Sequence, residues 1–138
     1  MAHPTEGTEE KVRELRLVVT ADDFDEALRF YRDVLGLREA AEFRSGNGGR
    51  VSILEAGRAT IELANPEHAA WVDEVEVGRR VAGHVRVAFA VDDAEATTRR
   101  LAAAGATVIA EPVRTPWGSM NSRLEAPAGL QLTLFAGE

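Results

Sequence analysis

Two arginines stand at the same place in two similar stretches of the 138-residue chain. Residues 16–23 read RLVVTADD and residues 86–93 read RVAFAVDD, so Arg16 and Arg86 each begin an apolar run that ends in two aspartates, 70 positions apart. An arginine side chain keeps its charge at any working pH and only donates hydrogen bonds. The pair therefore suits an anionic or hydrogen-bond-accepting group, such as a carboxylate, phenolate, quinone or sulfonate, and does not suit the coordination of a cation.

Side-chain alternation along the predicted strands indicates which residues accompany the two arginines. Four apolar runs each have an aliphatic face and a mixed face, and the mixed faces carry Arg16, Glu62, Arg86 and Thr133. Glu62 can accept hydrogen bonds from one or both arginines and so join the two halves of the chain. No catalytic residue is assigned. If any carboxylate acts as a general base it is Glu62, although neighbouring positive charges lower the pKa of a carboxylate and weaken it as a base.

Further candidates for ligand binding flank these positions. They are His84, Trp117, Asn121 and Arg123, with His68 and Trp71 in the segment that connects the two halves. His84 lies two residues before Arg86 on the same predicted face, displaced toward the rim of the site. Trp117 stands between a proline and a glycine in a loop. A purely structural role is the alternative for each candidate: a solvated strand arginine, a surface histidine, or a tryptophan that anchors its own loop.

The elements that position these residues occur twice along the chain. In the first half Phe24, Leu28, Tyr31 and Leu35 form one stripe of an amphipathic helix that ends at Gly36, and DAEATTRRLAAA forms the second helix. Each helix follows an arginine-headed strand and precedes three short extended runs. A sheet covered by helices on one side has a second face, and curling makes that face a concave pocket.

Three short motifs carry a resemblance to a known family. FYRDVLGL after an aspartate-capped strand, LAAAGA in the second half and an APAG turn before the last strand resemble the glyoxalase/bleomycin-resistance/extradiol-dioxygenase superfamily, also called vicinal oxygen chelate proteins, over residues 13–135. In relatives the APAG position often reads DPDG, and both acids are missing here. The resemblance implies an α+β fold in which two βαβββ modules form a curled mixed sheet with a half-open cup and helices on its outer face. We predict a single domain over residues 1–138, with a tail at 1–12, a first module at 13–65, a connector at 66–82 and a second module at 83–136.

The same resemblance bears on metal binding. It places Arg16, Glu62, Arg86 and Thr133 at the four positions where metal-dependent relatives hold their ligands. A catalytic centre needs about three protein ligands, and of these four residues only Glu62 can serve as one. We therefore expect no metal and no other cofactor.

Three functions remain open at this stage. The favoured one is a metal-independent small-molecule binding protein, drug- or metabolite-sequestering, that works as a homodimer on an anionic or aromatic ligand and is not an enzyme. The alternative is a divalent-metal-dependent lyase, epimerase or dioxygenase of the same superfamily, with Glu62 and His84 among its ligands. The third is an interaction module whose cup is filled by its own side chains.

Composition excludes several other classes of function. The chain contains no cysteine, so it has no disulfide framework, no thiolate nucleophile and no cysteine-ligated metal. Its net charge of −7 argues against nucleic acid as a partner. No apolar stretch approaches the roughly 20 residues that span a bilayer, and the polar start of the chain lacks the apolar core of a signal peptide. We expect a cytoplasmic protein with no membrane partner.

Overall fold

The fold is built on one mixed β-sheet with helices on both of its faces. The computed structural model describes residues 11–137, so residues 1–10 of the predicted tail lie outside the described residues. The strands are β1 (Glu14–Thr20), β2 (Arg38–Arg44), β3 (Arg50–Ala56), β4 (Ala59–Ala64), β5 (Val85–Ala90), β6 (Thr107–Arg114), β7 (Met120–Glu125) and β8 (Gln131–Ala136). The helices are α1 (Phe24–Leu28), which continues as a π-helical segment (Arg29–Val34), α2 (Pro66–Glu76) and α3 (Ala94–Ala103).

The two halves of the chain meet at the centre of the sheet, where β1 pairs antiparallel with β5. The strand order is β2-β3-β4-β1-β5-β8-β7-β6, and β1 lies parallel to β4 as β5 lies parallel to β8. At the central seam Leu17 pairs with Val87, and these two residues are one repeat of 70 positions apart. An approximate twofold axis therefore passes beside this pair and relates Arg16 to Arg86. The predicted α+β fold, with its curled mixed sheet, is confirmed.

Helices α1 and α3 cover the convex face of the sheet. The aliphatic faces of the strands supply the surface on which they pack, because successive side chains of a strand point to opposite faces. Two clusters result, and their buried members are Phe24, Leu28, Leu54 and Leu63 beneath α1, and Val91, Ala94, Leu124, Leu134 and Ala136 beneath α3.

The first helix departs from the predicted stripe at its end. The amide of Leu35 donates to the carbonyl of Phe30 at 2.8 Å, five residues back, as in a π-helix. This wider turn rotates the later residues away from the sheet, and Leu35 is 59% exposed. The prediction that Leu35 shares a buried stripe with Phe24 and Leu28 is wrong for this reason.

The predicted connector contains a helix that lies on the concave face. Asn65 caps α2 by accepting a hydrogen bond from the amide of His68 at 2.9 Å, and Pro66 occupies the first turn. Because α2 lies inside the cup, the expectation that the helices lie on the outer face holds for α1 and α3 only. Within the described part of the chain, no helix has the length and apolar character needed to cross a membrane.

Candidate functional site

A cavity of about 320 Å³ opens on the concave face of the sheet. Strands from both halves of the sheet contribute to its wall, since β2 at one edge and β7 next to the other edge both reach it, so the sheet is curled around the space. Helix α2 closes one side. The lining residues are Arg16, Val18, Phe43, Arg44, Val51, Ile53, Glu62, His68, Trp71, Val72, Glu76, Arg86, Ala88, Trp117, Asn121, Thr133 and Phe135.

Arg16 is held in the cavity wall by two carboxylates and an aromatic ring. Its Nη1 lies 3.7 Å from Oε1 of Glu62 on β4, and its Nε donates to Oε2 of Glu14 at 3.0 Å. The guanidinium carbon lies 4.5 Å from the centroid of the Phe135 ring, a cation–π contact. The charge of Arg16 is therefore compensated by groups of the protein itself.

Arg86 has a different environment. Only 8% of it is exposed, and its Nη1 donates to Oγ1 of Thr133 at 2.8 Å. Among residues 11–137 no carboxylate lies within ion-pair distance of its side chain. Burial lowers the pKa of Arg86; the negative charge of Glu76 opposes this shift, and the positive charge of Arg123 adds to it. Arg86 is thus a buried cation without a close counterion in the described part of the molecule.

The sheet register explains why Glu62 does not join both arginines. Val18 pairs with Glu62 on one side and with Arg86 on the other, so Glu62 and Arg86 stand on strands that flank β1. Two strand spacings amount to about 10 Å between backbones. Of the two pairings expected from the sequence, the structure forms the one between Glu62 and Arg16.

A row of aromatic rings forms one wall of the cavity. The ring centroids of Trp71 and Trp117 are 5.3 Å apart, and those of His68 and Trp71 are 5.8 Å apart. Trp71 comes from α2 and Trp117 from the loop between β6 and β7, so two distant segments build this wall. Burial, and next the charge of Arg86, lower the pKa of His68 to about 4. His68 is therefore neutral at pH 7, and its buried Nδ1 has no hydrogen-bond partner in the described residues.

A buried ionic cluster fixes α2 against the sheet. Arg123 on β7 is fully buried and donates to Oε1 of Glu76 through Nη2 at 2.7 Å and to Oδ1 of Asp73 through Nη1 at 2.8 Å. Burial tends to raise the pKa of Asp73, but hydrogen bonds from the amides of Ala82 and Val81 and from arginines outweigh it, and the pKa is lowered. Asp73 and Glu76 are therefore both paired with Arg123 in this cluster.

The predicted site residues divide into two groups in the structure. Six of them line the cavity: Arg16, Glu62, Arg86, Trp117, Asn121 and Thr133. Two lie outside its lining. His84 is exposed before β5, with Nδ1 3.1 Å from the carbonyl oxygen of Thr20, and Arg123 lies in the ionic cluster behind the wall.

Sequence reasoning missed part of the cavity wall. Val72 and Glu76 of α2 line it, as do Phe43 and Arg44 at the end of β2. The sequence did contain a signal for α2, because an Asn-Pro pair is a common start of a helix. No comparable signal marked Phe43, since its place in the wall depends on how far the sheet curls.

Comparison with known proteins shows the family of the chain. Residues 15–134 match the sequence model of the Glyoxalase/Bleomycin resistance protein/Dioxygenase superfamily. The chain belongs to this superfamily. Two relatives named "Putative glyoxylase CFP32", from Mycobacterium bovis and Mycobacterium tuberculosis, are each 38% identical over 109 residues. That match covers 78% of this chain but 38% of the relative, so the chain spans less than half the length of these curated relatives.

Solved structures share the fold of this superfamily member at low sequence identity. Methylmalonyl-CoA epimerase from Mycobacterium tuberculosis has a TM-score of 0.67 at 22% identity, and the match covers 95% of this chain and 92% of that one. The hypothetical protein BH1468 from Bacillus halodurans C-125 has a TM-score of 0.65 at 19% identity, covering 89% of this chain and 92% of that one. At these identities the likeness concerns the fold.

Arg16, Glu62, Arg86 and Thr133, which the family resemblance sets at metal-ligand positions, do not as a set fit a divalent cation. Arg16 and Arg86 offer donors only, and the guanidinium of Arg16 already lies against the carboxylate of Glu62. In the part of the chain that the structure describes, no group of three or more His, Asp or Glu side chains is placed to hold a metal ion. We therefore derive no chemical step through a metal.

Proposed function

We propose that this superfamily member binds a small molecule in its cup without a metal ion. The proposal rests mainly on Arg86, a buried guanidinium whose one hydrogen-bond partner among residues 11–137 is the neutral hydroxyl of Thr133. Such a group is costly unless an anion or acceptor joins it. A bound ligand with such a group supplies the missing partner. Drug or metabolite sequestration is the form of binding that this arrangement supports best.

The remainder of the cavity supports the same function. Its volume of about 320 Å³ falls in the range of small-molecule sites, and most of its wall is apolar or aromatic. A few polar groups converge on one part of it, as is usual where a site fixes the orientation of a ligand. Side chains of residues 11–137 leave this space open, which disfavours the interaction-module alternative.

The test combines metal analysis with ligand binding. The protein is purified without chelator and without a nickel column, its metal content is measured, and a library of small aromatic acids, amides and quinones is screened by thermal shift in EDTA. We expect no stoichiometric metal, and ligands that raise the melting temperature in EDTA. About one equivalent of metal per chain that is lost in Glu62→Ala, or binding that appears only after a metal is added, contradicts the proposal.

We also propose that the protein acts as a homodimer, on the strength of its membership in the superfamily and of its half-open cup. Sedimentation velocity at tens of micromolar measures this directly. A single species with the mass of one chain contradicts it.

A further inference from the structure

Each module of the cup pairs one arginine with a partner residue: Arg16 with Glu62 and Arg86 with Thr133. The two pairs occupy equivalent places but differ in chemistry. Val18 of β1 pairs with Glu62 of β4, and Ala88, one repeat after Val18, pairs with Thr133 of β8. Glu62 and Thr133 therefore hold equivalent positions. In the first module an arginine meets a carboxylate, with Arg16 Nη1 3.7 Å from Glu62 Oε1. In the second module the equivalent arginine, Arg86, meets a hydroxyl at 2.8 Å.

The second pair thus lacks a negative charge that the first pair has. Threonine is shorter than glutamate by two heavy atoms and leaves space beside Arg86, in the wall of the cavity. Nε and Nη2 of Arg86 donate to no residue between 11 and 137. Thr133 accepts from Arg86 with its oxygen, so its own hydroxyl proton is available to an acceptor in the cavity.

We propose that the ligand is a planar aromatic carboxylate, whose carboxylate takes at Arg86 the place that Glu62 takes at Arg16. This inference rests on the proposed function and adds the chemical class of the ligand. The fork of a guanidinium matches the two oxygens of a carboxylate, which favours this group over a single-oxygen anion.

The local environment of Arg86, and not the net charge of the whole cavity, favours a ligand with one negative charge. Three arginines and two glutamates line the space. Arg16 lies against both Glu62 and Glu14, and Arg123 behind the wall binds both Glu76 and Asp73. Arg44 is exposed at the rim, where water solvates its charge. Arg86 remains as one buried positive charge to be neutralised.

The aromatic wall sets the shape of the rest of the ligand. Trp71 and Trp117 present rings on the cavity side, and Phe43 and Phe135 belong to the same lining. Stacked or tilted rings at such distances favour a flat aromatic partner over a saturated one of similar size. Neutral His68 adds no charge that would favour a cation or a second anion.

The experiment compares probes that differ in one property at a time. The probes are 2-naphthoate, its neutral isostere 2-naphthamide, and the saturated acid decalin-2-carboxylate, titrated in EDTA by calorimetry and by tryptophan fluorescence. We expect 2-naphthoate to bind at least about tenfold more tightly than either of the others, since a charge-assisted hydrogen bond is worth that much or more.

Four variants test whether the carboxylate binds at Arg86. Thr133→Glu supplies the missing charge from the protein, so it should abolish the preference for naphthoate over naphthamide. Thr133→Gln has nearly the same volume without the charge and should keep that preference, even where both affinities fall. Arg86→Met should also abolish it, and Arg86→Lys should restore part of it. Circular dichroism and denaturant unfolding establish that each variant is folded.

The outcomes separate this inference from the proposed function. Equal binding of naphthoate and naphthamide to the unmodified protein overturns the aromatic carboxylate but leaves metal-free binding intact. A preference that survives in Arg86→Met, or that Thr133→Gln and Thr133→Glu lose alike, also overturns it. Failure of naphthoate to bind at all overturns it as well, and the proposed function is then judged by the library screen in EDTA.

Discussion

Arg123 on β7 donates Nε and Nη2 to one carboxylate oxygen of Glu76 on α2, at 3.1 and 2.7 Å, with both side chains removed from solvent. Glu76 also accepts from Nδ2 of Asn121 at 2.7 Å through its other oxygen. The helix that closes the cup is therefore attached to the sheet by charged hydrogen bonds, and the position of His68 and Trp71 depends on this attachment.

Removing Arg123 should be strongly destabilising. Arg123→Met leaves Asp73 and Glu76 buried without their shared cation, and breaking such a pair costs about 3–5 kcal/mol. Denaturant unfolding measures the change in the free energy of unfolding. The control is Arg99→Met on the exposed side of α3, which should stay within about 0.5 kcal/mol of the unmodified protein. Equal effects of the two substitutions would show that the cluster contributes nothing specific.

Removing Arg86 should leave the free energy of unfolding unchanged or raise it. Arg86→Met takes away a buried charge that has no close counterion in the described chain and leaves a shorter, apolar side chain. The substitution ends the desolvation penalty of a buried charge, so it should be neutral or stabilising. We expect unfolding at the same or a higher urea concentration than for the unmodified protein, measured without ligand. A loss of stability comparable to that of Arg123→Met would mean that Arg86 is a structural residue.

Arg16 and Glu62 should be energetically coupled, whereas Arg86 and Glu62 should not. A double-mutant cycle with Arg16→Met and Glu62→Gln should give a coupling energy of about 1 kcal/mol, since the pair is partly buried and lies 3.7 Å apart. The matched cycle with Arg86→Met and Glu62→Gln should stay below about 0.5 kcal/mol, because Val18 stands between the two residues. A larger coupling in the second cycle would contradict the arrangement described for Glu62.

Gly49 should be essential for the close packing of the start of α2 against the turn before β3. A Cβ at this position would lie 2.7 Å from Cα of His68 and would also meet Oγ of Ser45, and the serine can rotate away whereas the helix backbone cannot. Gly49→Ala should therefore displace the start of α2 and cost about 1–3 kcal/mol. Gly46→Ala in the same turn is the control, since its Cβ would meet no atom within 4 Å. Unfolding curves together with the fluorescence of the two tryptophans detect both effects, and equal stability of the two variants would refute the close contact.

Stability should fall as the pH decreases toward 4, partly because of His68. Its pKa is about 4 in the folded protein, below the ordinary value of 6.5, so only the unfolded chain takes up this proton between those pH values. The contribution is fully present above pH 6.5, and up to about 3 kcal/mol is lost as the pH falls through this window. Urea unfolding from pH 7 to pH 4 should show a steeper decline for the unmodified protein than for His68→Gln. Parallel declines would show that His68 titrates normally.

The fold could be predicted from the sequence because its signals are local and repeated. RLVVTADD and RVAFAVDD mark both central strands, and alternation within them placed Arg16 and Arg86 on the face that became the cavity wall. The aliphatic partners of these residues, such as Val19 and Phe89, pack under the helices as alternation requires. The backbone of a strand alone decides which face each side chain points to, so the faces can be predicted directly from the sequence.

The parts that could not be predicted depend on contacts between distant segments. Arg123 shares its strand face with Asn121, but only the position of α2 decides that Arg123 is buried against Glu76 whereas Asn121 reaches the cavity. The π-helical turn that exposes Leu35 has no signature in the helical stripe. The separation of Glu62 from Arg86 follows from the strand order, which places β1 between them.

The antiparallel seam between β1 and β5 has a kinetic consequence. Its paired residues, such as Leu17 and Val87, are about 70 positions apart along the chain, while the hairpins β2–β3 and β6–β7 join near neighbours. Closing a long loop lowers the entropy of the chain before any stabilising contact forms. Local hairpins therefore form first and the seam forms late. Arg16 and Arg86 come together only across that seam, and the step that limits the rate of folding should therefore also be the step at which the chain first becomes able to hold its ligand.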